Sequence, residues 1–225
     1  MATEYCLSMS LIREYTTFFR QFREQFETTG AIAPSSRFLA RSMTRRLRNR
    51  PADAKPMRVL EIGPGTGAVT RTIVRHLRDG DRFDLVELNQ VFAEHLRTRF
   101  EQDALWNRVA AQSEVHVCPL QEFESDAPYD VVISGLPLNN FPAGLVDEIF
   151  EHYFRHLAPD GVLSYFEYQF VRSIRTRFGA RSERDRLRSI DTTMGRYCKQ
   201  YRIRRDWIFV NMPPAWVQHL RKDEG

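Results

Sequence analysis

The stretch from Arg58 to Leu77 constrains this chain more than any other. Val59, Leu60 and Ile62 form an apolar run around Glu61, Gly63-Pro64-Gly65-Thr66-Gly67 interrupts it, and Val69, Ile73, Val74 and Leu77 follow at helical spacing. Strand, glycine loop and helix in that order put a loop at the carboxyl end of a first strand, where open α/β sheets bind ligands. Glycines let a ligand approach the main chain, and the helix beyond offers unpaired N–H groups. The alternate spacing is neither the G-x-G-x-x-G of a nicotinamide fold nor the G-K-[ST] of a P-loop, so phosphate is not the expected ligand. Glu87 follows Gly67 by 20 residues and closes the apolar run from Phe83 to Leu88. From that place a carboxylate accepts two hydrogen bonds from a ribose.

The remaining chain repeats the alternation. Val115-His116-Val117, Asp130 to Ile133 and Val162 to Phe166 read as strands, with helical spacing in Val91 to Phe100 and Leu145 to Leu157 between them. This predicts an α/β chain with a mostly parallel, doubly wound sheet. Val171 to Arg205 reads as arginine-rich and less regular, and Ile203 to Val210 as a final strand before Pro213-Pro214 and a short tail. Ahead of the sheet, Leu7, Leu11, Tyr15, Phe18, Phe22 and Phe26 share one helical face, with Arg13, Arg20 and Arg23 on its flank and far side. Pro34-Ser35-Ser36 starts a second helix with a serine N-cap, in which Leu39, Met43 and Leu47 oppose Arg37, Arg41, Arg45 and Arg48. The polar, proline-bearing stretch from Asn49 to Pro56 reads as a linker, giving N-terminal helices over 1–50 and a main domain over 51–225.

Composition narrows the setting. The 225 residues, 42% of them hydrophobic, suffice for one substantial core. The formal net charge is only +4, and Lys55, Lys199 and Lys222 are the only lysines, so nearly all the basic charge is arginine, whose fork suits phosphate. A GC-rich genome explains that usage equally well. Cys6, Cys118 and Cys198 are scattered without disulfide or zinc spacing, so no metal site is expected and a reducing cytoplasm fits. No apolar run reaches the roughly 20 residues of a spanning helix, and no signal-peptide core is evident, so any membrane contact is expected to be peripheral.

Val59 to Gly67 resembles motif I of the class I S-adenosylmethionine-dependent methyltransferases, Glu87 resembles their ribose-binding acid, and Asp130 to Pro137 their fourth motif. The resemblance implies a Rossmann-like fold with S-adenosyl-L-methionine as cofactor and S-adenosyl-L-homocysteine as product. Gly63, Gly65 and Gly67 would approach its methionine part, Glu61 its amino group directly or through water, Glu87 with Leu88 its ribose, and Leu120 with Gln121 its adenine. Many members carry an acid where Gln121 stands. Thr29 to Ser36, Ser134 to Pro142 and Asn211 to Ala215 resemble, in order, segments of the small bacterial phospholipid N-methyltransferases, which act on phosphatidylethanolamine towards phosphatidylcholine.

That closer resemblance implies a cofactor lid containing Gly30, Ile32 and Ser35, and a basic N-terminal helix docked on anionic membrane at the cytoplasmic face. A phospholipid substrate, no nucleic acid and a monomer are expected. Candidates for handling the amine are Tyr168 and Tyr15, whose rings can hold a methylated cation, with Ser134, Asn140 and Glu167 as proton acceptors or relays. Arg172, Arg175 and Arg177 are placed to meet a lipid phosphate. The alternative is a nucleic-acid methyltransferase like the rRNA adenine N6-dimethylases. Ser134 and Leu138 break the Asn/Asp-Pro-aromatic pattern of adenine N6 sites, and too little chain follows residue 170 for a helical substrate domain.

Overall fold

In the computed structural model, which describes residues 36–168, 181–211 and 214–222 (backbone alone for 181–187), seven strands form one sheet. The strands are β1 Arg58–Ile62, β2 Arg82–Val86, β3 Ser113–His116, β4 Tyr129–Ser134, β5 Leu157–Tyr168, β6 Arg202–Ile208 and β7 Ala215–Arg221. Their spatial order is β3-β2-β1-β4-β5-β7-β6. The first five are parallel, and β7 enters antiparallel between β5 and β6. Strand order reverses at β1 and β4, so their carboxyl ends frame the crevice in which such sheets take ligands.

The helices are α1 Arg37–Met43, α2 Arg45–Arg48, α3 Thr70–His76, α4 Gln90–Gln102, α5 Ala104–Asn107, α6 Ala143–His156 and α7 Arg181–Tyr201. Ser36 caps α1, its hydroxyl accepting from the Leu39 N–H at 3.2 Å, as the sequence predicts. The helix breaks at Thr44, whose hydroxyl donates back to the Ala40 carbonyl at 2.8 Å. Leu39, Met43 and Leu47 are fully buried and join Val59, Phe83, Val131, Ile133 and Phe166 in the core on one face of the sheet. On the other face, Leu60, Val132, Leu163 and Tyr165 meet α6 and α7. Phe150 of α6 lies edge-on to Tyr153 and Tyr165 and stacks on Tyr197 of α7. Its truncation to alanine would cost about 3–5 kcal/mol.

Three expectations are corrected. The tail beyond Pro214 is strand β7, paired on both sides, and Ile203 to Val210 supplies only its edge neighbour β6. The stretch read as irregular contains the 21-residue helix α7. The polar segment at 49–56 is anchored as well as linking: Arg50 is buried and its guanidinium donates two hydrogen bonds of 2.7 Å to Asp81 and one of 3.0 Å to the His76 carbonyl.

Candidate active site

The carboxyl ends of β1, β2 and β4 frame a small cleft lined by Ile62, Gly63, Val86, Glu87, Leu88, Cys118, Leu120 and Leu136. Four of the residues singled out from sequence, Gly63, Glu87, Leu88 and Leu120, therefore share one cavity. Ile62, Val86, Cys118 and Leu136 complete it. Their signal was hydrophobicity at or just past strand ends, which does not separate cleft lining from core.

The three loop glycines all have positive φ, +65° at Gly63, +55° at Gly65 and +80° at Gly67, but they are glycine for different reasons. A β-carbon at Gly63 would lie 2.6 Å from Leu136 Cδ2, and one at Gly67 2.7 Å from the Trp106 ring. Those two positions are closed by the protein's own packing. A β-carbon at Gly65 would meet nothing within 4 Å, so this residue alone faces open space. Gly135 lets the β4 loop approach: its N–H donates to the Ile62 carbonyl at 2.8 Å, and a β-carbon there would lie 2.5 Å from the Gly63 carbonyl oxygen.

Glu87 is fully buried. One carboxylate oxygen accepts from the Gly65 N–H at 3.0 Å and the other from the Asn89 N–H at 2.9 Å. Asn89 in turn caps α4 with its side-chain oxygen. The acid is thus oriented by the glycine loop and by the helix start at once. Glu61, also buried, accepts from the Thr70 hydroxyl at 2.7 Å. Burial pushes its pKa up to about 8, the Thr70 hydrogen bond opposing and the nearby Glu87 charge reinforcing the rise. Two acids in so enclosed a place are relieved by a cationic ligand.

Beyond β3, Gln121 sits in the 3-10 turn Leu120–Glu122, and its side-chain oxygen is buried without a partner. Its amide bonds Glu148, whose carboxyl is raised by burial. Gln121 itself does not line the cleft, although its neighbour Leu120 does. Open space at Gly65, an oriented carboxylate at the β2 end and the apolar wall of Leu88, Cys118 and Leu120 together fit a nucleoside ligand that carries positive charge.

The amine-handling candidates divide. Ser134 is fully buried; its hydroxyl lies 2.5 Å from the Tyr153 hydroxyl and accepts from the Leu136 N–H at 3.2 Å. It ties the end of β4 to α6. Asn140 is half-buried at the end of the turn Leu138–Asn140, its N–H donating to the Pro137 carbonyl at 2.9 Å. Glu167 is buried on β5 and accepts from the Gln218 amide at 3.1 Å. Tyr168 ends β5, three residues past the row where Tyr165 meets Ser134, and its ring lies edge-on to Phe166. Burial pushes its hydroxyl up to about 12, opposed by a hydrogen bond from Asn211. The Asn211 side-chain oxygen also accepts from the Ser36 N–H at 3.2 Å. Ser36, Tyr168 and Asn211 thus meet at the carboxyl edge of the sheet. Tyr15, Gly30, Ile32, Ser35, Arg172, Arg175 and Arg177 lie outside the described residues.

Asp84, Glu114 and His116 also converge on β2 and β3. Asp84 is already engaged by Arg82, His116 and the Tyr129 hydroxyl, which makes the group an ion-paired network.

The comparisons with known proteins agree with this geometry. Residues 60–163 match the family model described as "Methyltransferase domain". The fold is the Rossmann-like fold of S-adenosylmethionine-dependent methyltransferases, and solved neighbours with that fold hold S-adenosylhomocysteine. The N-methyltransferase NodS from Bradyrhizobium japonicum superposes with a TM-score of 0.61 at 15% identity, over 85% of this chain and 98% of that one. An O-methyltransferase from Bacillus cereus, solved with S-adenosylhomocysteine, superposes at 0.62 and 15% identity, over 92% and 91%. At such identities the fold alone is shared between these and this chain. In sequence, it is 29% identical over 153 residues to an ornithine lipid N-methyltransferase of Singulisphaera acidiphila, covering 68% of this chain and 77% of that protein. Among the described residues no helix is long and apolar enough to cross a membrane.

Proposed function

We propose that this methyltransferase methylates the primary amine of a membrane lipid, phosphatidylethanolamine and then its methylated derivatives, at an anionic membrane surface. The observation that carries the reading is the junction of Ser36, Asn211 and Tyr168, held by the Ser36 N–H to Asn211 hydrogen bond of 3.2 Å. It joins an end of each of two segments that resemble phospholipid N-methyltransferases to a tyrosine at the carboxyl edge of the sheet. The relative from Singulisphaera acidiphila supports an amine-bearing lipid, and makes ornithine lipid the second acceptor to test. The division of labour follows the expected boundary: residues 1–50 as lid and membrane contact, 51–225 as the methyltransferase domain. Packing does not respect that boundary, since Leu39, Met43 and Leu47 share a core with the sheet.

S-adenosylmethionine, when bound, supplies an electrophilic methyl group on a sulfonium. Gly65 would give it room, Glu87 would take the ribose hydroxyls, Glu61 would balance its positive charge, and Gln121 would accept from its adenine amine on turning from Glu148. Gly63 and Gly67 shape the loop from within, Leu88 and Leu120 flank the cleft, and Gly30, Ile32 and Ser35 close over it. Displacement at the methyl is in-line, so the remaining work is to hold a neutral amine in position and exclude water. Tyr168 keeps its proton, because burial pushes the hydroxyl up to about 12. It therefore orients the amine by hydrogen bonding and offers its ring to the methylated cation, with Tyr15 as a second ring. Asn140 accepts from the incoming amine. Ser134 positions the end of β4 through Tyr153.

Incubation with methyl-labelled S-adenosylmethionine and a total lipid extract, followed by chromatography, tests the proposal. Label in mono-, di- or trimethylated ethanolamine lipids is expected. Label in ornithine lipid alone would replace the acceptor, and label only in added RNA would refute the lipid reading.

A further inference from the structure

The sheet edge farthest from β3 carries a surface that neither core explains. β6 is the last strand, and most of it is exposed on both faces. Asp206 accepts from Ser42 of α1 at 2.9 Å, so its neighbours Arg205 and Trp207 point to the opposite face. There Trp207 stacks on Phe209 at 3.9 Å and lies edge-on to Trp216 of β7, while the Arg205 guanidinium sits 3.5 Å over the Trp216 ring. Trp207, Phe209 and Val210 are 53%, 64% and 67% exposed, which is far from what core aromatics show. Between Lys199 and Lys222 the chain holds six basic residues and one acid, Asp206, which is engaged by Ser42 and Arg204.

An exposed cluster of tryptophan, phenylalanine and valine set among arginines matches the interface of an anionic bilayer, where amphipathic rings sit at headgroup level and cations meet acidic lipid. A second copy of the chain fits less well. Pairing β6 with a second copy would crowd Arg202, Arg204 and Arg205 of both strands into one short ribbon, with Asp206 the one acid of each. The place of the cluster is also telling. Phe209 and Val210 directly precede Asn211, the residue bonded to Ser36 and Tyr168.

We propose that the face formed by Arg205, Trp207 and Phe209, with the exposed Val210 of the adjoining turn, docks this methyltransferase on anionic membrane, bringing the Asn211 edge of the site to the lipid headgroups. Its purpose rests on the lipid-acceptor reading, but docking is measurable without turnover. Among the three tryptophans, Trp106 is fully buried, whereas Trp207 and the half-buried Trp216 both lie at this face and report on it together. The full chain is mixed with vesicles of phosphatidylcholine and phosphatidylglycerol in equal parts, and with phosphatidylcholine alone. The expected result is a blue shift of tryptophan emission and quenching by brominated acyl chains on the anionic vesicles only, both reduced in Trp207→Phe and lost when Trp216→Phe is added to it. Phe209→Glu and Val210→Glu are each expected to weaken vesicle binding by about tenfold or more, since each sets a carboxylate against acidic lipid. Neither should change calorimetric binding of S-adenosylhomocysteine, which also reports that the variants fold.

Unchanged vesicle binding by both glutamate variants would overturn the proposal. So would tryptophan emission that ignores the vesicles, a dimer in sedimentation that Phe209→Glu dissociates, or RNA binding that both variants abolish. Docking without label in any lipid would leave this inference standing and remove the acceptor reading. Lipid labelling with no contribution from this face would do the reverse.

Discussion

Replacing Glu61 by glutamine tests whether the acid behind the glycine loop is neutral until a cation arrives. Buried beneath the cleft and bonded to Thr70, Glu61 has a folded pKa of about 8 against an ordinary 4.5. Above 4.5 the unfolded chain loses this proton while the folded chain keeps it, so the folded state binds more protons and stability must fall as pH rises. The contribution is whole below the unfolded value and gone once pH passes the folded one. At about 1.4 kcal/mol per unit, the loss between pH 4.5 and 8 is about 3–5 kcal/mol. Glutamine keeps the shape and the acceptor for Thr70 but cannot ionise. Urea unfolding of the ligand-free protein from about pH 5 to 8.5 should therefore give curves that agree at the acid end and diverge above it, with Glu61→Gln the more stable by that amount. S-adenosylmethionine, doubly cationic at its sulfonium and ammonium, should then draw the proton off Glu61 at pH 7. Calorimetry in buffers of different ionisation enthalpy would register proton release in the wild type and none in Glu61→Gln. Parallel stability curves, or equal proton release, would refute the reasoning.

Two further substitutions separate ligand space from protein packing. Gly65→Ala carries a φ of +55° and meets no protein atom, so it should cost about 1–2 kcal/mol and lower the melting temperature by roughly 2–8 °C, while affinity for S-adenosylhomocysteine falls at least about tenfold. Gly67→Ala drives a methyl to 2.7 Å from Trp106, and differential scanning should find the larger loss in stability there. Asp81→Asn leaves the buried Arg50 guanidinium without its anion, and should cost about 3–5 kcal/mol in denaturant unfolding; an unchanged midpoint would mean that the 49–56 segment is not anchored as described.

How much of this was legible in the sequence depends on how far apart the interacting residues lie. The cofactor side is local: strand, glycines, helix and the acid of the next strand fall within thirty residues, and their types alone report the φ values and the carboxylate that the site needs. Even there the reason for each glycine was hidden, because Leu136 and Trp106, which close Gly63 and Gly67, come from elsewhere in the chain. Helix α7 carried a signal in Ile190, Met194, Tyr197 and Tyr201 that its arginines diluted. Strand β7 carried almost none, since Gln218 and His219 are polar and are buried only because Glu167 and Ser164 stand ready to pair with them on β5. Ser134 looked reactive because side-chain direction at a strand end is not written in residue type; Tyr153, nineteen positions away, decides it. The acceptor side is the extreme case. Ser36 and Asn211 are 175 residues apart, and they meet because β7 runs back antiparallel beside β5 and leaves the turn before it at the edge where Tyr168 ends. The proposed cofactor half of the site is therefore carried by a motif, whereas the proposed acceptor half is assembled by the topology, and substitutions at Tyr168 or Asn211 should change acceptor use far more than cofactor affinity.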